Sequence, residues 1–439
     1  MARRQTLAFY ACAFCWCVCS GFSARAADQA VTPEQIRQIL EENKNLQEQL
    51  KRQQSLIESL STKVNRLEQN SGGISAENEP STAKALTDSF FGKVSIGAEG
   101  GIAFFNTGSE GVFPNAEFRL DELKLFLEAP VWNQVYFFTE LNLAERERDD
   151  LALLVGECYL DFENISELWN RQRMLNLRIG RMDIPFGEEY LTRDAIDNPL
   201  ISHSLPDFWG VDEGIELYGR IGPVRYAVAL QNGGLPDARD FNADKSVAGR
   251  IEYDPTRWLH LSVSGMRTGD LDPEDDQLSA MWFGNGFFRS LGSTVTTRFH
   301  ANLFEGDVAI RFPHGRLSAF GGYIHYDDND SAANNRRDVY YYSVEGVHDV
   351  IGKLYAGARF SQILAPNGFP ITGNGRMGPY FFNPFGLTEN IWRLSLGLGY
   401  RFSPNLLLKA EYSFEKGRLE SGEKREHADL VAVEAAFKF

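Results

Sequence analysis

The stretch Trp392-Arg393-Leu394-Ser395-Leu396-Gly397-Leu398-Gly399-Tyr400-Arg401-Phe402 alternates residue by residue. Successive side chains of an extended strand point to opposite faces. Trp392, Leu394, Leu396, Leu398, Tyr400 and Phe402 therefore share one face, and Arg393, Ser395, Gly397, Gly399 and Arg401 the other. The pattern repeats downstream. Leu406, Leu408, Ala410, Tyr412 and Phe414 oppose Leu407, Lys409, Glu411, Ser413 and Glu415. Val431, Val433, Ala435, Phe437 and Phe439 oppose Leu430, Ala432, Glu434, Ala436 and Lys438. Upstream, Val224, Tyr226, Val228 and Leu230 oppose Arg225, Ala227 and Ala229.

A soluble β-sandwich alternates as well. Three features set this chain apart. The runs are long, whereas ordinary strands average about five or six residues. Aromatics sit at the ends of the apolar face: Trp392 and Phe402 are ten residues apart. Ten steps of ~3.3 Å, tilted by ~45°, rise roughly 23 Å, close to the ~25 Å apolar band of an outer-membrane barrel. Connections also alternate in length. Seven short ones fall near 130–133, 164–173, 222–223, 254–257, 313–315, 349–352 and 403–405. Eight long ones fall near 106–115, 145–150, 183–211, 232–245, 267–297, 327–337, 363–390 and 416–428. Fifteen connections join 16 strands over residues 90–439, with both barrel ends on the short-turn side. The pattern is weakest at 116–129 and 299–312. The expected fold is all-β: a 16-stranded antiparallel transmembrane β-barrel preceded by an N-terminal α-helical coiled coil.

The N-terminal part reads differently. Arg3 and Arg4 precede an apolar run, 7–19, and Ala24-Arg25-Ala26 supplies small residues for cleavage, so 1–26 reads as a signal peptide. Residues 33–69 lack Gly and carry a heptad seam. Ile36, Asn43, Leu50, Ile57 and Val64 occupy a positions; Ile39, Leu46, Gln53, Leu60 and Leu67 occupy d positions. Thr32 as N-cap and Pro33 at the first turn start that helix. The stretch 70–89, with Gly72, Gly73 and Pro80, is a linker. The expected domains are thus a signal peptide (1–26), a periplasmic coiled coil (33–69), the linker (70–89) and the barrel (90–439).

Composition removes several function classes. Net charge is −16, against the basic footprint that nucleic acid requires. Four of the five cysteines (Cys12, Cys15, Cys17, Cys19) lie in the signal segment, so Cys158 has no partner after processing and reads as a small lipid-facing hydrophobe. None of the seven histidines has metal-ligand spacing, and no phosphate loop or nucleophile elbow is present. The expectation is therefore no enzyme, no cofactor and no metal.

The best functional candidate is 183–211, too long to be an ordinary structureless loop. It interleaves Pro185, Pro199 and Pro206 with Glu188, Glu189, Arg193, Asp207, Phe186, Tyr190, Phe208 and Trp209. It is read as a constriction loop, with Pro185, Phe186, Glu188, Glu189 and Arg193 as its key residues. The inward-phased charges are segregated along the chain: Glu128, Glu140, Glu157 and Asp161 first, then Arg178, Arg220, Arg225 and Arg250, then Arg311, Arg316, Arg359, Arg393 and Arg401, with Glu216, Glu252, Asp307, Glu411 and Glu434 mixed in. Arg178, Arg220, Arg225, Arg250, Arg359 and Arg393 are the expected pore-lining, anion-binding set, since guanidinium binds carboxylate and phosphate through forked hydrogen bonds. The competing reading is that arginines and acids pair off and hold the wall.

At Arg178-Ile179-Gly180-Arg181-Met182-Asp183-Ile184-Pro185-Phe186-Gly187-Glu188-Glu189 the chain resembles the phosphate-selective porin O/P family, whose members carry a strand ending in Pro-Phe-Gly-x-Glu before the constriction loop. Gln231-Asn232-Gly233-Gly234, followed by Asp240, Asn242, Asp244-Lys245 and Gly249-Arg250, is similar to that family's Asn-Gly loop. Phe437 and the terminal Phe439 resemble the end signal of outer-membrane barrels. The resemblance implies a trimeric porin with an arginine ladder and a periplasmic trimerisation stalk. Inward-phased lysines are few here (Lys353, Lys409, Lys438), a departure from phosphate channels. The expected function is an outer-membrane diffusion channel for small hydrophilic solutes, anion-biased, with phosphate or similar anions as solutes. The alternatives are a general or carbohydrate porin, or a structural anchor whose coiled coil tethers the envelope to the cell-wall layer. Expected partners are two further copies in a homotrimer and outer-membrane lipid.

Overall fold

A computed structural model describes residues 94–111, 113–144, 153–206, 210–233, 240, 243–271, 295–331, 335–369 and 387–439. The expected signal peptide, the whole coiled-coil seam from Ile36 to Leu67, the linker 70–89, and Asp207, Phe208 and Trp209 lie outside the described residues.

Among the described residues seventeen strands follow one another: β1 (Ser95–Thr107), β2 (Glu117–Trp132), β3 (Val135–Ala144), β4 (Leu154–Phe162), β5 (Asn176–Asp183), β6 (Val211–Ile221), β7 (Val224–Gln231), β8 (Ser246–Thr256), β9 (Leu259–Arg267), β10 (Phe299–Phe312), β11 (Gly315–Asp328), β12 (Arg337–Ile351), β13 (Leu354–Phe369), β14 (Thr388–Ser403), β15 (Leu406–Leu419), β16 (Lys424–Arg425) and β17 (Leu430–Lys438). The two-residue β16 pairs only with the tip of β15. The other sixteen pair antiparallel in sequence order, and β1 closes on β17 from Glu99↔Lys438 to Thr107↔Leu430. The expected closed 16-strand barrel is observed. The faintly patterned stretches become β2 and β10, and every short connection falls where the turn residues placed it. Closure leaves no unpaired edge, which a lipid environment requires.

The alternation sets the faces. Leu398 is 53% exposed on the outer surface, whereas its neighbours in the same strand, Arg393 and Ser395, are buried in the interior. Aromatics ring both ends of the outer surface. Trp132, Trp258, Phe312 and Phe402 adjoin the short turns, and Phe118, Phe304 and Tyr340 lie toward the long loops, all exposed. Such girdles belong at the two membrane–water interfaces. The β6–β7 turn rests on Gly222, whose φ of 62° is a left-handed conformation that a Cβ disfavours. Cys158 lies on the outer row, directly opposite Thr139 and Arg181.

The interior is not uniformly polar. Toward the loop end of β8–β15, Phe299, Leu303, Ile324, Tyr326, Val339, Ile363, Phe369 and Ile391 form one apolar cluster with Ile184, Phe186 and Leu205 of the β5–β6 connection.

Candidate functional site in the barrel interior

The connection between β5 and β6 spans 184–210, and its described part runs inside the barrel. Its entry is the Ile184-Pro185-Phe186-Gly187-Glu188-Glu189 motif. Phe186 is 3% exposed within the apolar cluster, and Pro185 is buried beside it. Gly187 turns the chain with φ 70°, and its N–H donates to Ser264 Oγ at 3.1 Å. A Cβ there would meet Glu305 Oε1 at 2.8 Å, so the motif needs glycine on two counts. A single helical turn, Glu189–Thr192, follows.

Beyond that turn, the segment is fastened to the wall made by β12–β15 and β17. Arg193 forms a fork on Glu345, with both N–H···O contacts at 2.9 Å. Arg359 donates to the same carboxylate at 2.6 Å, to Asn198 Oδ1 at 2.8 Å and to the Ser202 carbonyl at 2.7 Å. Lys409, 2% exposed, donates to the carbonyls of Ala195 (2.7 Å) and Leu200 (3.0 Å) and pairs with Glu434 at 2.9 Å. Glu411 accepts from the N–H groups of Ile201 (2.6 Å) and Ser202 (2.8 Å) and from the Ser202 hydroxyl. Tyr355 donates to the Pro199 carbonyl at 2.9 Å. Glu189 accepts from Ser204 N–H at 3.0 Å and lies 3.4 Å from Arg359. Burial alone would raise its pKa; Arg359, His203 and Arg193 reverse that and hold the carboxyl below its ordinary range. A backbone segment at membrane depth is tolerated when buried polar partners satisfy it, as they do here.

The six nominated arginines divide. Arg359 and Arg393 are buried; Arg393 pairs with Glu415 at 2.6 Å and donates to the His203 carbonyl at 3.1 Å. Both hold the inner segment, and Arg359 also borders the smaller of two cavities. Arg178 pairs with Asp161 (3.1 Å) and Glu216 (3.2 Å). Arg225 pairs with Glu252 and with Asp254 at 3.2 Å. Arg250 lies 3.1 Å from Glu252 and 3.5 Å from Glu188. Arg220 donates to the Gly222 carbonyl at 2.8 Å. Glu188 also lies 2.8 Å from His260 Nε2, while His260 Nδ1 is 2.7 Å from Asp254.

Free space lies on the other side of the inner segment. One cavity of about 780 Å³ is bordered by Arg225, Arg250, Asp254, Arg257 and His260. A second, of about 300 Å³, is bordered by Arg193, Asp307, Arg316, Phe320 and Glu345. Glu188, Thr192 and Arg311 border both. Arg311 stands directly opposite Arg316 across β10–β11, and its guanidinium has no ion-pair partner among the described residues. The smaller cavity is bordered by four guanidiniums (Arg193, Arg311, Arg316 and Arg359) and five carboxylates (Glu188, Glu189, Asp197, Asp307 and Glu345), the larger by four guanidiniums (Arg225, Arg250, Arg257 and Arg311) and three carboxylates (Glu188, Glu252 and Asp254).

Sequence reading left Arg311 outside the nominated set because phase alone does not separate a paired arginine from an unpaired one. It missed Glu345 because both faces of β12 carry apolar residues, so neither could be assigned inward.

No family model matches the chain, and no curated protein matches it. Solved structures do. OmpT of Vibrio cholerae, an outer membrane protein in its trimer form, matches with TM-score 0.53 and 10% identity over 79% of this chain and 99% of its own. The outer membrane channel DcaP of Acinetobacter baumannii matches with TM-score 0.53 and 12% identity over 79% of this chain and 98% of its own. The fold is shared with these outer-membrane proteins. At such identities the likeness carries the fold alone. The solute, the selectivity and the assembly have to be argued from this chain's own residues.

Proposed function

We propose that the protein is an outer-membrane porin: a passive diffusion channel for small hydrophilic solutes, biased toward anions such as phosphate. The observation that carries this reading is the free space beside the inner segment, with the unpaired Arg311 where its two cavities meet. The segment 184–210 acts as the constriction. Pro185 and Phe186 anchor its entry, Glu188 and Glu189 face the two walls, and Arg193 ties it to Glu345. The excess guanidinium around the larger cavity, Arg225, Arg250, Arg257 and Arg311 against Glu188, Glu252 and Asp254, favours anions there. No cofactor is involved. In this reading residues 1–26 direct export, three copies form a trimer, and the heptads of 33–69 form a stalk in the periplasm. Recording the refolded chain in a planar bilayer tests it. Current steps in threes, anion selectivity and block by added phosphate are expected; cation selectivity would remove the anion bias.

The apolar cluster inside the loop end favours a second reading, a barrel retained as an anchor with the coiled coil as a tether to the cell-wall layer. A folded trimer that passes no current would support it.

A further inference from the structure

The two cavities that meet at Arg311 differ in charge. Guanidiniums outnumber carboxylates around the larger one, and carboxylates outnumber guanidiniums around the smaller one. Most charges of the smaller cavity are already engaged. Arg193, Arg316 and Arg359 all donate to Glu345. Glu189 lies 3.4 Å from Arg359, Asp197 lies 3.1 Å from Lys438, and Glu188 lies 2.8 Å from His260 Nε2. Two charged border groups form no ion pair among the described residues: Arg311 and Asp307.

Both stand on β10, and strand register keeps them unmatched. Elsewhere an inward charge finds the opposite sign on the next strand, as Arg178 does in Asp161 and Lys409 in Glu434. Asp307 stands between Ser262 of β9 and Phe320 of β11, and its carboxylate accepts only from the Ser262 hydroxyl among these two, at 2.7 Å. Arg311 stands opposite another guanidinium, that of Arg316. Asp307, Ala309 and Arg311 alternate on the inward face, opposite Phe320, Ser318 and Arg316. All six border the smaller cavity, and none of them is buried. The middle pair, Ala309 and Ser318, is small. The floor of the cavity therefore carries a carboxylate at one end and a guanidinium at the other, with low side chains between. Four residue steps of ~3.3 Å set the two ends about 13 Å apart along the strand.

We propose that this floor binds zwitterionic dipeptides, with the carboxylate at Arg311 and the ammonium at Asp307. An extended dipeptide spans about 7 Å. A hydrogen bond of about 3 Å at each end extends its reach to about 13 Å. A single amino acid carries its two charges on one carbon and satisfies one end at a time. The cavity volume, about 300 Å³, lies at the lower end of the range of small-molecule sites. The proposal rests on the reading of the lumen as a solute path, and it names a solute class that is not a simple anion.

The test pairs isothermal titration of dialanine into the folded full-length protein in detergent, at neutral pH, with bilayer recordings of the same preparation. Wild type should bind dialanine saturably and lose open-channel current as it is added. Alanine, N-acetyl-dialanine, which lacks the ammonium, and dialanine amide, which lacks the carboxylate, should each bind about tenfold more weakly. Asp307→Asn, which keeps an acceptor for Ser262, should weaken dialanine about tenfold and leave N-acetyl-dialanine unaltered. Arg311→Gln should weaken dialanine about tenfold and leave dialanine amide unaltered. Heat-modifiable migration confirms that both variants fold. A conducting wild type that binds dialanine no more tightly than alanine or N-acetyl-dialanine overturns the site and leaves the channel reading intact. The expected binding pattern in a barrel that passes no current supports the site and overturns the channel reading. Equal losses for all three peptides in either variant overturn the assignment of the two ends.

Discussion

Arg359 and Arg311 are both inward-facing arginines on barrel strands, yet they occupy opposite situations. Arg359 lies beneath the inner segment, 3% exposed, and is held by Glu345, Glu189, Asn198 and a backbone carbonyl. Arg311 faces open space and has no ion-pair partner among the described residues. The same division runs through the two walls. From β12 to β17 the charges bind the segment 184–206 in place, Glu345 and Arg359 doing so at the edge of the smaller cavity; from β8 to β11 they border open space. Alternation decides only that a side chain points inward. Whether it then becomes a strut or a lining depends on where one connection folds back, which is a long-range matter.

The covered wall should be the more sensitive. Removing one member of a buried ion pair typically costs about 3–5 kcal/mol, because the partner charge is left unpaired. Lys409→Met, which removes the buried ion pair with Glu434 and frees two loop carbonyls, should lower stability by that amount in a urea titration of the detergent-solubilised barrel. The double variant Lys409→Met/Glu434→Gln should recover part of it. Phe186→Ala, which empties a site in the apolar cluster, should cost about 3–5 kcal/mol by the same measurement. Gly187→Ala should cost about 1–2 kcal/mol, from the left-handed backbone and the contact with Glu305. Arg311→Gln should leave stability within about 0.5 kcal/mol of wild type while moving the reversal potential toward cations. A loss on the Lys409 scale would place Arg311 in the framework and erase the distinction between the walls.

Glu189 gives the comparison a pH axis. Its carboxyl is held below the ordinary glutamate range in the folded state. A depressed carboxylate contributes stability that is fully present above its unfolded pKa, about 4.3, and that is lost as pH falls through the lower folded value. The fastening should therefore be constant from neutral pH to the ordinary carboxylate range and weaken only below it. In Glu189→Gln this acid-dependent component should be absent. A decline beginning near pH 6 would show that another group controls the segment.

The sequence carried the barrel because membrane strands repeat a local rule: apolar out, polar in, aromatic at the ends. Sixteen strands and all seven short turns were readable from that rule, including β2 and β10, where it was faint. The entry to the inner segment was also readable, since Pro185, Phe186 and Gly187 each impose a backbone or packing requirement of their own. The partners of that segment were not. Glu345 meets Arg193 across 152 residues and Glu411 meets Ser202 across 209, and no spacing rule reaches so far.

The most direct test of the two-wall account is the reversal potential of single channels under a tenfold KCl gradient, for wild type and for Arg311→Glu. The account predicts anion selectivity in wild type and its loss or inversion in Arg311→Glu, with matching unfolding midpoints. Equal reversal potentials in the two proteins would contradict it, because the unpaired guanidinium would then lie off the conducting path.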